Sequence, residues 1–156
     1  MKFQVNKDVL SEAVSFAVRI LPQKNKQQIL SGVLIEADAN ALRFSVFDYE
    51  VSAQAEVVAK VEQSGRILVS SKFLSDIASR LPNAPVEFEA EGSKLMLTCG
   101  PSKFTLPLMD VDQYPTLPEL PASNGTISGD TFSDAVAQVA LAASKDETPA
   151  WMTGVL

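Results

Sequence analysis

The stretch that decides the fold is RILVSSKFLSDIA, residues Arg66–Ala78, because its pattern occurs three times in the chain. Each copy has a short apolar strand, a polar residue suited to cap a helix, and an amphipathic helical segment. The other copies lie at Lys2–Ala13 and Thr126–Val136. Repeats roughly 60 residues apart are longer than most solenoid units, so each copy predicts half a domain.

The apolar spacing in the first two copies predicts two amphipathic helices. We expect the first from about Lys7 to Leu21 and the second from about Ser71 to Leu81. Both place apolar residues at i, i+3, i+4 and i+7, which form one buried stripe. A proline follows each helix and ends it. In the second helix the buried stripe is expected to be Phe73, Leu74, Ile77, Ala78 and Leu81.

Three strands are predicted after each helix, separated by short turns. The clearest is Val86–Glu91, in which Val, Phe and Ala alternate strictly with three glutamates. The strands after the first helix are expected at 29–36, 42–47 and 51–61, and those after the second at 86–91, 94–99 and 102–106.

These elements predict an α+β fold of duplicated strand–helix–three-strand units, with helices on one face and antiparallel sheets on the other. Two units form a complete first domain, which we assign to residues 1–122. The proline-rich segment Asp110–Asn124 reads as a linker. Residues 123–156 are then expected to be the start of a second, incomplete domain.

Basic side chains are concentrated in the two helices and the loop after the first. The net charge is −6, but these segments carry +3 and the rest of the chain −9. Because phosphate backbones attract clustered basic residues, the segregation favours a helix layer that faces nucleic acid. For any single charge a solvated helix face is the alternative. The basic residues are Lys7, Arg19, Lys24, Lys26, Lys72 and Arg80.

The sequence lacks the residues on which most active sites depend. It has no histidine, which excludes His-ligated metals and nucleophiles activated by histidine. The acidic pairs Asp48/Glu50 and Asp110/Asp112 lie at a predicted turn and in the linker, where acids are ordinary. A hydrolase that uses Asp48 and Glu50 is therefore the weakest function class. We predict no catalytic residue, no metal and no cofactor.

Cysteine use and hydropathy bear on location. The single Cys99 cannot form an internal disulfide, which favours a reducing compartment. No stretch approaches the roughly 20 apolar residues of a membrane span, and the first residues do not resemble a signal peptide. We expect a cytoplasmic protein without a membrane partner.

Four further segments carry a family resemblance. They are ILSGVLI at 29–35, FDYE at 47–50, FTLPLM at 104–109 with DQYPTLP at 112–118, and SKDET at 144–148 with MTGV at 152–155. Together with the opening Met1–Phe3, these segments resemble the N-terminal portion of the bacterial DNA polymerase III beta subunit family, the replicative sliding clamps. The resemblance runs in order over essentially the whole chain.

The resemblance implies an architecture and a function. A subunit of that family has three such domains, and two subunits close head to tail into a ring whose hole is lined by helices. The implied function is a processivity factor that encircles duplex DNA and tethers the replicative polymerase during chromosome replication, without enzymatic activity. The implied partners are duplex DNA, the polymerase and the clamp loader, the last two through short peptide motifs, with a homodimer when the protein is full length.

The resemblance also implies roles for individual residues. Basic side chains at the hole would contact phosphates without reading sequence. An edge strand would form the subunit interface, and one apolar residue would lie in the pocket for partner peptides. The phosphate contacts are Lys24, Lys72, Arg80 and Lys145, the interface residues are Lys103, Phe104 and Leu106, and the pocket residue is Met152.

Two departures from the family pattern leave an alternative open. The loop after the first helix lacks the prolines usual in the family, so Lys24 is expected to be less fixed. The chain ends at Leu156, inside the first unit of the second domain, so we expect a fragment that cannot close a ring alone. The alternative function is a protein-interaction adaptor of the same fold that does not bind DNA.

Overall fold

The computed structural model describes residues 1–21, 27–119, 121–144 and 152–154. The chain divides into two compact units, Met1–Pro118 and Glu119–Leu156, called unit 1 and unit 2 below. In chain order the elements of unit 1 are β1 Lys2–Val5, α1 Lys7–Arg19, β2 Gly32–Asp38, β3 Ala41–Phe47, β4 Ser52–Val58, β5 Lys60–Gln63, β6 Gly65–Ser70, α2 Ser71–Ala78, β7 Val86–Glu91, β8 Lys94–Cys99 and β9 Ser102–Met109.

The strands of unit 1 form one nine-stranded sheet in the order β4-β3-β2-β6-β9-β8-β7-β1-β5, and its pairings are antiparallel. The two repeats exchange their first strands. β1 opens the first repeat but pairs with β7 of the second, and β6 opens the second repeat but pairs with β2 of the first. The exchange ties the repeats into one domain. The predicted α+β fold with a duplicated strand–helix–three-strand repeat is confirmed.

The two halves of the sheet meet at a short seam between β6 and β9. Only Leu68↔Met109 and Val69↔Leu108 pair there. The earlier part of β9, residues 102–107, pairs with β8 on one side only among the described strands. That part of β9 therefore presents a free edge.

Both helices pack on the core face of this sheet and against each other. Asn6 begins α1 as its N-cap, because its side-chain oxygen accepts a hydrogen bond from the Asp8 amide at 2.9 Å. The stacked rings of Phe3 and Phe88, 4.7 Å apart, join β1 to β7 beneath the helices. The helical side chains in the core are Leu10, Ala13, Val14, Ala17, Leu74 and Ala78.

The structure differs from the sequence prediction in several details. The third strand of the first repeat breaks at Ala59, whose amide donates to the Asn40 carbonyl at 2.9 Å, and continues as β5 along β1. The predicted strand from residue 29 begins at Gly32, because Gln28–Ser31 form a 3₁₀ turn. Helix α2 ends at Ala78, and its Phe73 is 50% exposed although its spacing predicted burial.

The segment predicted as a linker is bound to the sheet over its first half. Residues 110–118, which we call the strap, contain a 3₁₀ turn at Val111–Gln113 and then cross the outer face. Tyr114 in the strap is only 8% exposed. It packs with Leu34 and Leu68 in a second apolar cluster, on the side of the sheet away from the helices.

Unit 2 has helix α3, Gly129–Val139, followed by a 3₁₀ turn at Ala140–Ala142. Ser128 caps α3, because its hydroxyl accepts a hydrogen bond from the Thr131 amide at 3.3 Å. The apolar stripe of α3 remains open to solvent, with Phe132 57% and Val139 46% exposed.

Candidate nucleic-acid interface

The exposed side of α2 carries the first predicted phosphate contact. Lys72 is the second residue of the helix and points to solvent, whereas Leu74 and Ala78 face the core. A cation in the first turn is opposed by the helix dipole, which favours an acid there. In α1 the corresponding second residue is Asp8. Lys72 is therefore a basic residue held where local electrostatics favour an acidic one.

Arg80 lies in the turn after α2, whereas the sequence predicts it within the helix. Its amide donates to the Ile77 carbonyl at 2.9 Å, and its side chain is exposed. A cation near a helix C-terminus is favoured by the dipole, so Arg80 sits at a stabilising position. Within the described residues, no ion pair joins Lys72 or Arg80 to a carboxylate.

The other two predicted phosphate contacts, Lys24 and Lys145, lie outside the described residues. The basic surplus depends strongly on the loop that contains Lys24. The described parts of α1, α2 and the turn after α2 hold four basic against three acidic residues, for a net charge of +1. One of these bases, Lys7, already pairs with Asp8 at 3.3 Å. Lys24 and Lys26 raise the total to the +3 read from the sequence.

The opposite face of unit 1 carries exposed acids. Glu87, Glu89 and Glu91 of β7 are exposed while Val86 and Phe88 are buried, as the alternation predicted. Lys2 on the neighbouring β1 pairs with Glu62 at 3.2 Å, and this hydrogen bond and charge raise the pKa of Lys2. On the sheet strands Lys2, Arg43 and Arg66 pair with acids, whereas the exposed Lys60 and Lys94 form no ion pair within the described residues.

The predicted interface residues divide between the two faces of β9. Phe104 and Leu106 lie opposite the core residues Leu97 and Leu95, on the helix side, whereas Lys103 lies opposite Thr98 on the outer side. Leu106 is 7% exposed and already belongs to the core of unit 1, while Phe104 is 37% exposed. The free edge therefore has the partly exposed ring of Phe104 on the helix side of the sheet and Lys103 on the outer side.

Met152, the predicted pocket residue, belongs to a short described segment of unit 2. Its carbonyl accepts a hydrogen bond from the Ser144 amide at 2.8 Å, and the residue is 48% exposed. Its role in peptide binding stays a prediction.

The acidic pairs support local backbone structure. Asp48 Oδ1 accepts hydrogen bonds from the amides of Glu50 and Val51 at 3.0 and 2.8 Å. Asp110 accepts from the Asp112 amide and from the Gln113 side chain at 3.1 and 2.8 Å. Across the described residues no group of three or more acidic or cysteine side chains could hold a metal ion. Helices in that part of the chain are too short or too polar to cross a membrane.

Sequence reasoning missed one residue with a specific role, Tyr114. The prolines after it predict a linker. The available signal was an aromatic residue between the apolar residues Val111 and Leu117, since several large apolar side chains in one segment need a surface to cover them.

Comparisons with known proteins all find similarity to the same family. A beta sliding clamp from Streptomyces coelicolor is 46% identical over 99% of this chain, and one from Micrococcus luteus is 48% identical over 99%. The chain spans 41% and 50% of the length of these curated relatives. The DNA polymerase III beta subunit structure from Pseudomonas aeruginosa has the same fold, with a TM-score of 0.87 and 24% identity over 99% of this chain and 43% of that one.

The family model that matches the chain describes the N-terminal domain of this subunit and covers residues 1–118, which is all of unit 1. The exchanged first strands, the two helices on one side and the strap after β9 all fall within this match. The chain therefore belongs to the DNA polymerase III beta subunit family.

Proposed function

We propose that this chain supplies the first domain, residues 1–122, and the start of the second, residues 123–156, of a sliding clamp. Such a clamp encircles duplex DNA and tethers the replicative polymerase during chromosome replication. Two relatives of nearly half-identical sequence are named beta sliding clamps. The observation that carries the proposal is Lys72, exposed and unpaired within the described residues on the helix layer, while the sheet face carries exposed glutamates.

The proposed DNA contacts are electrostatic. Lys24, Lys72, Arg80 and Lys145 approach phosphates and make no contact that reads a base, because a sliding protein must not prefer a sequence. Lys72 fits this role best among them, since its position in the first turn of α2 gains nothing from the helix. A phosphate near the same turn would be attracted by both the lysine and the helix dipole.

The proposed subunit interface is the free edge of β9, with Lys103, Phe104 and Leu106. A strand from another subunit would add to residues 102–107 and extend the sheet by backbone hydrogen bonds. That strand would cover the Phe104 ring, which is 37% exposed. In the full-length protein this contact gives a homodimeric ring.

The remaining parts of the proposal concern partners and location. Met152 would line the pocket that receives short motifs of the polymerase and the clamp loader, where a methionine adapts to different side chains. The chain performs no catalysis and requires no cofactor, and it acts in the cytoplasm. The alternative is an adaptor of the same fold that binds proteins and not DNA.

A charge-reversal experiment on the 156-residue chain separates the two functions. Binding to a short duplex is expected to be very weak, with Kd near 10⁻⁴ M or above at physiological salt, and measurable at low salt. Replacing Lys72 and Arg80 by glutamate should abolish it. The matched control Lys60→Glu/Lys94→Glu changes the same charge on two exposed sheet residues and should leave most binding. Equal losses from both pairs would support the adaptor.

A further inference from the structure

The strap contacts the sheet through apolar packing, through an exposed ion pair between Asp112 and Arg66 of β6 at 3.6 Å, and through the hydroxyl group of Tyr114. The Tyr114 oxygen accepts a hydrogen bond from the Phe47 amide at 2.9 Å and lies 3.4 Å from the Gly32 carbonyl oxygen, to which it donates. The ring is 8% exposed and packs on Leu34 and Leu68. Tyr114 is thus held by apolar contact and by two backbone groups of different strands.

These two backbone groups lie where the β2–β3 ladder stops. The ladder pairs Leu34 with Ser45 as its last rung. Two residues further, the same register would set Gly32 opposite Phe47, a pair that the ladder does not include. The Tyr114 hydroxyl stands between their N–H and C=O and satisfies both, as one donor and one acceptor. The strap is therefore hydrogen-bonded into the sheet and does more than rest on its surface.

Close packing under the ring leaves no room for a larger residue at position 32. A Cβ added to Gly32 would lie 2.6 Å from Leu68 Cδ1. The φ of Gly32 is −82°, an ordinary value, so space and not backbone geometry explains the glycine. The Leu68 side chain occupies the space next to Gly32, and Tyr114 packs against it.

We propose that Tyr114 is a positioning residue that fixes where the chain leaves unit 1 and so sets the geometry available to every following domain. After Tyr114, Pro115 and Pro118 each fix a backbone φ angle. Because fewer backbone conformations are then available, the position of Tyr114 also limits where the following residues can lie. This inference rests on the proposed ring, because a ring closes only if each domain follows the previous one at a reproducible angle.

Two substitutions separate the hydroxyl from the packing of the strap. Tyr114→Phe keeps the ring and removes both hydrogen bonds. Leu117→Ala removes apolar contact from the same strap and keeps the hydroxyl. The readouts are amide exchange at Phe47 and the distance between spin labels placed at Asp38→Cys and Thr116→Cys, two exposed positions that leave both prolines in place. The native Cys99 is fully buried, so we expect it not to react with the label.

We expect Tyr114→Phe to accelerate exchange of the Phe47 amide about tenfold, on the scale of one lost hydrogen bond, and to broaden the label distance distribution. Leu117→Ala should do neither. The proposal is overturned if Tyr114→Phe leaves the distance distribution unchanged, whatever happens to exchange. It is also overturned if Leu117→Ala has the same effects as Tyr114→Phe, because strap packing would then explain them.

A second arm tests the link to ring closure. In a chain extended with the further domains of its relatives, Tyr114→Phe should shorten retention on closed circular DNA while the melting temperature of unit 1 changes by a few degrees at most. Equal retention of both proteins would contradict the link. If the unsubstituted protein is not retained, the proposed function fails, and the exchange and distance results still decide the role of Tyr114.

Discussion

At the scale of single residues, local preferences explain most positions, and the exceptions indicate function. Asn6, Asp48, Asp110 and Ser128 each satisfy a backbone amide at the start of a helix or turn. Lys72 does not fit its local setting, since the first helical turn favours an acid. A residue that contradicts the local preference and remains exposed is most simply explained by a partner of opposite charge.

The buried hydroxyl of Tyr114 predicts a pH effect on stability. Burial raises the pKa of this phenol above its usual value near 10, because the charged form is poorly solvated there. In the unfolded chain the group loses its proton at lower pH than in the folded chain. The free energy of unfolding should therefore be constant near neutral pH, and should fall as pH rises through 10 toward the pKa of the folded state.

Urea titrations between pH 8 and pH 11 measure this effect. In Tyr114→Phe the free energy of unfolding should fall less over this pH range, because the contribution from ionisation of Tyr114 is removed. Tyr49→Phe, which removes the hydroxyl of a ring that is 62% exposed, supplies the matched control. Parallel curves for Tyr114→Phe and the unsubstituted chain would show that ionisation of Tyr114 is not linked to folding.

At the scale of elements, the free edge of β9 decides how the chain associates. The edge is short, and it carries two features that discourage indiscriminate pairing. Pro107 has no amide hydrogen to donate, and Lys103 adds a charge on the outer side. We predict that the 156-residue chain is a monomer at micromolar concentration. A stable symmetric dimer in sedimentation velocity would contradict the assignment of this edge to a heterologous subunit contact.

Helix α3 differs from α1 in what covers its apolar side. Leu10 and Val14 of α1 are at most 1% exposed, whereas Phe132 and Val136 of α3 are 57% and 36% exposed. Because an isolated helix of this length is marginal in water, α3 should open far more often than α1. Hydrogen exchange should show amides of α3 at least tenfold less protected than those of α1. Equal protection would mean that α3 is covered by a contact that the described residues do not provide.

At the scale of the whole molecule, repetition made much of the fold predictable. The copies at Lys2–Ala13 and Arg66–Ala78 predicted two helices and most of their buried stripes, with Phe73 as the exception, since apolar period and caps are local signals. The exchange of β1 and β6 between repeats was not predictable, because pairing depends on tertiary contacts that no single strand encodes. The break at Ala59 and the burial of Tyr114 were missed for the same reason.

The candidate site was less predictable than the fold. Charge segregation predicted a basic helix layer. In the described residues that layer carries a net charge of +1, with Lys72 and Arg80 exposed. Leu106 is buried in the core, whereas Phe104 is 37% exposed. The sequence could not distinguish them, because both side chains lie on the same face of β9. The roles of Lys24, Lys145 and Met152 stay predictions of the family resemblance.

The most direct test of the sliding-clamp account is retention on DNA with and without ends. The chain is extended with the further domains of its relatives, loaded onto a nicked circular plasmid, and filtered at high salt before and after the plasmid is cut once. A ring is held by topology and not by screened charge contacts, so the account predicts retention on the circle and rapid loss after linearisation. Equal release from circular and linear DNA would contradict it.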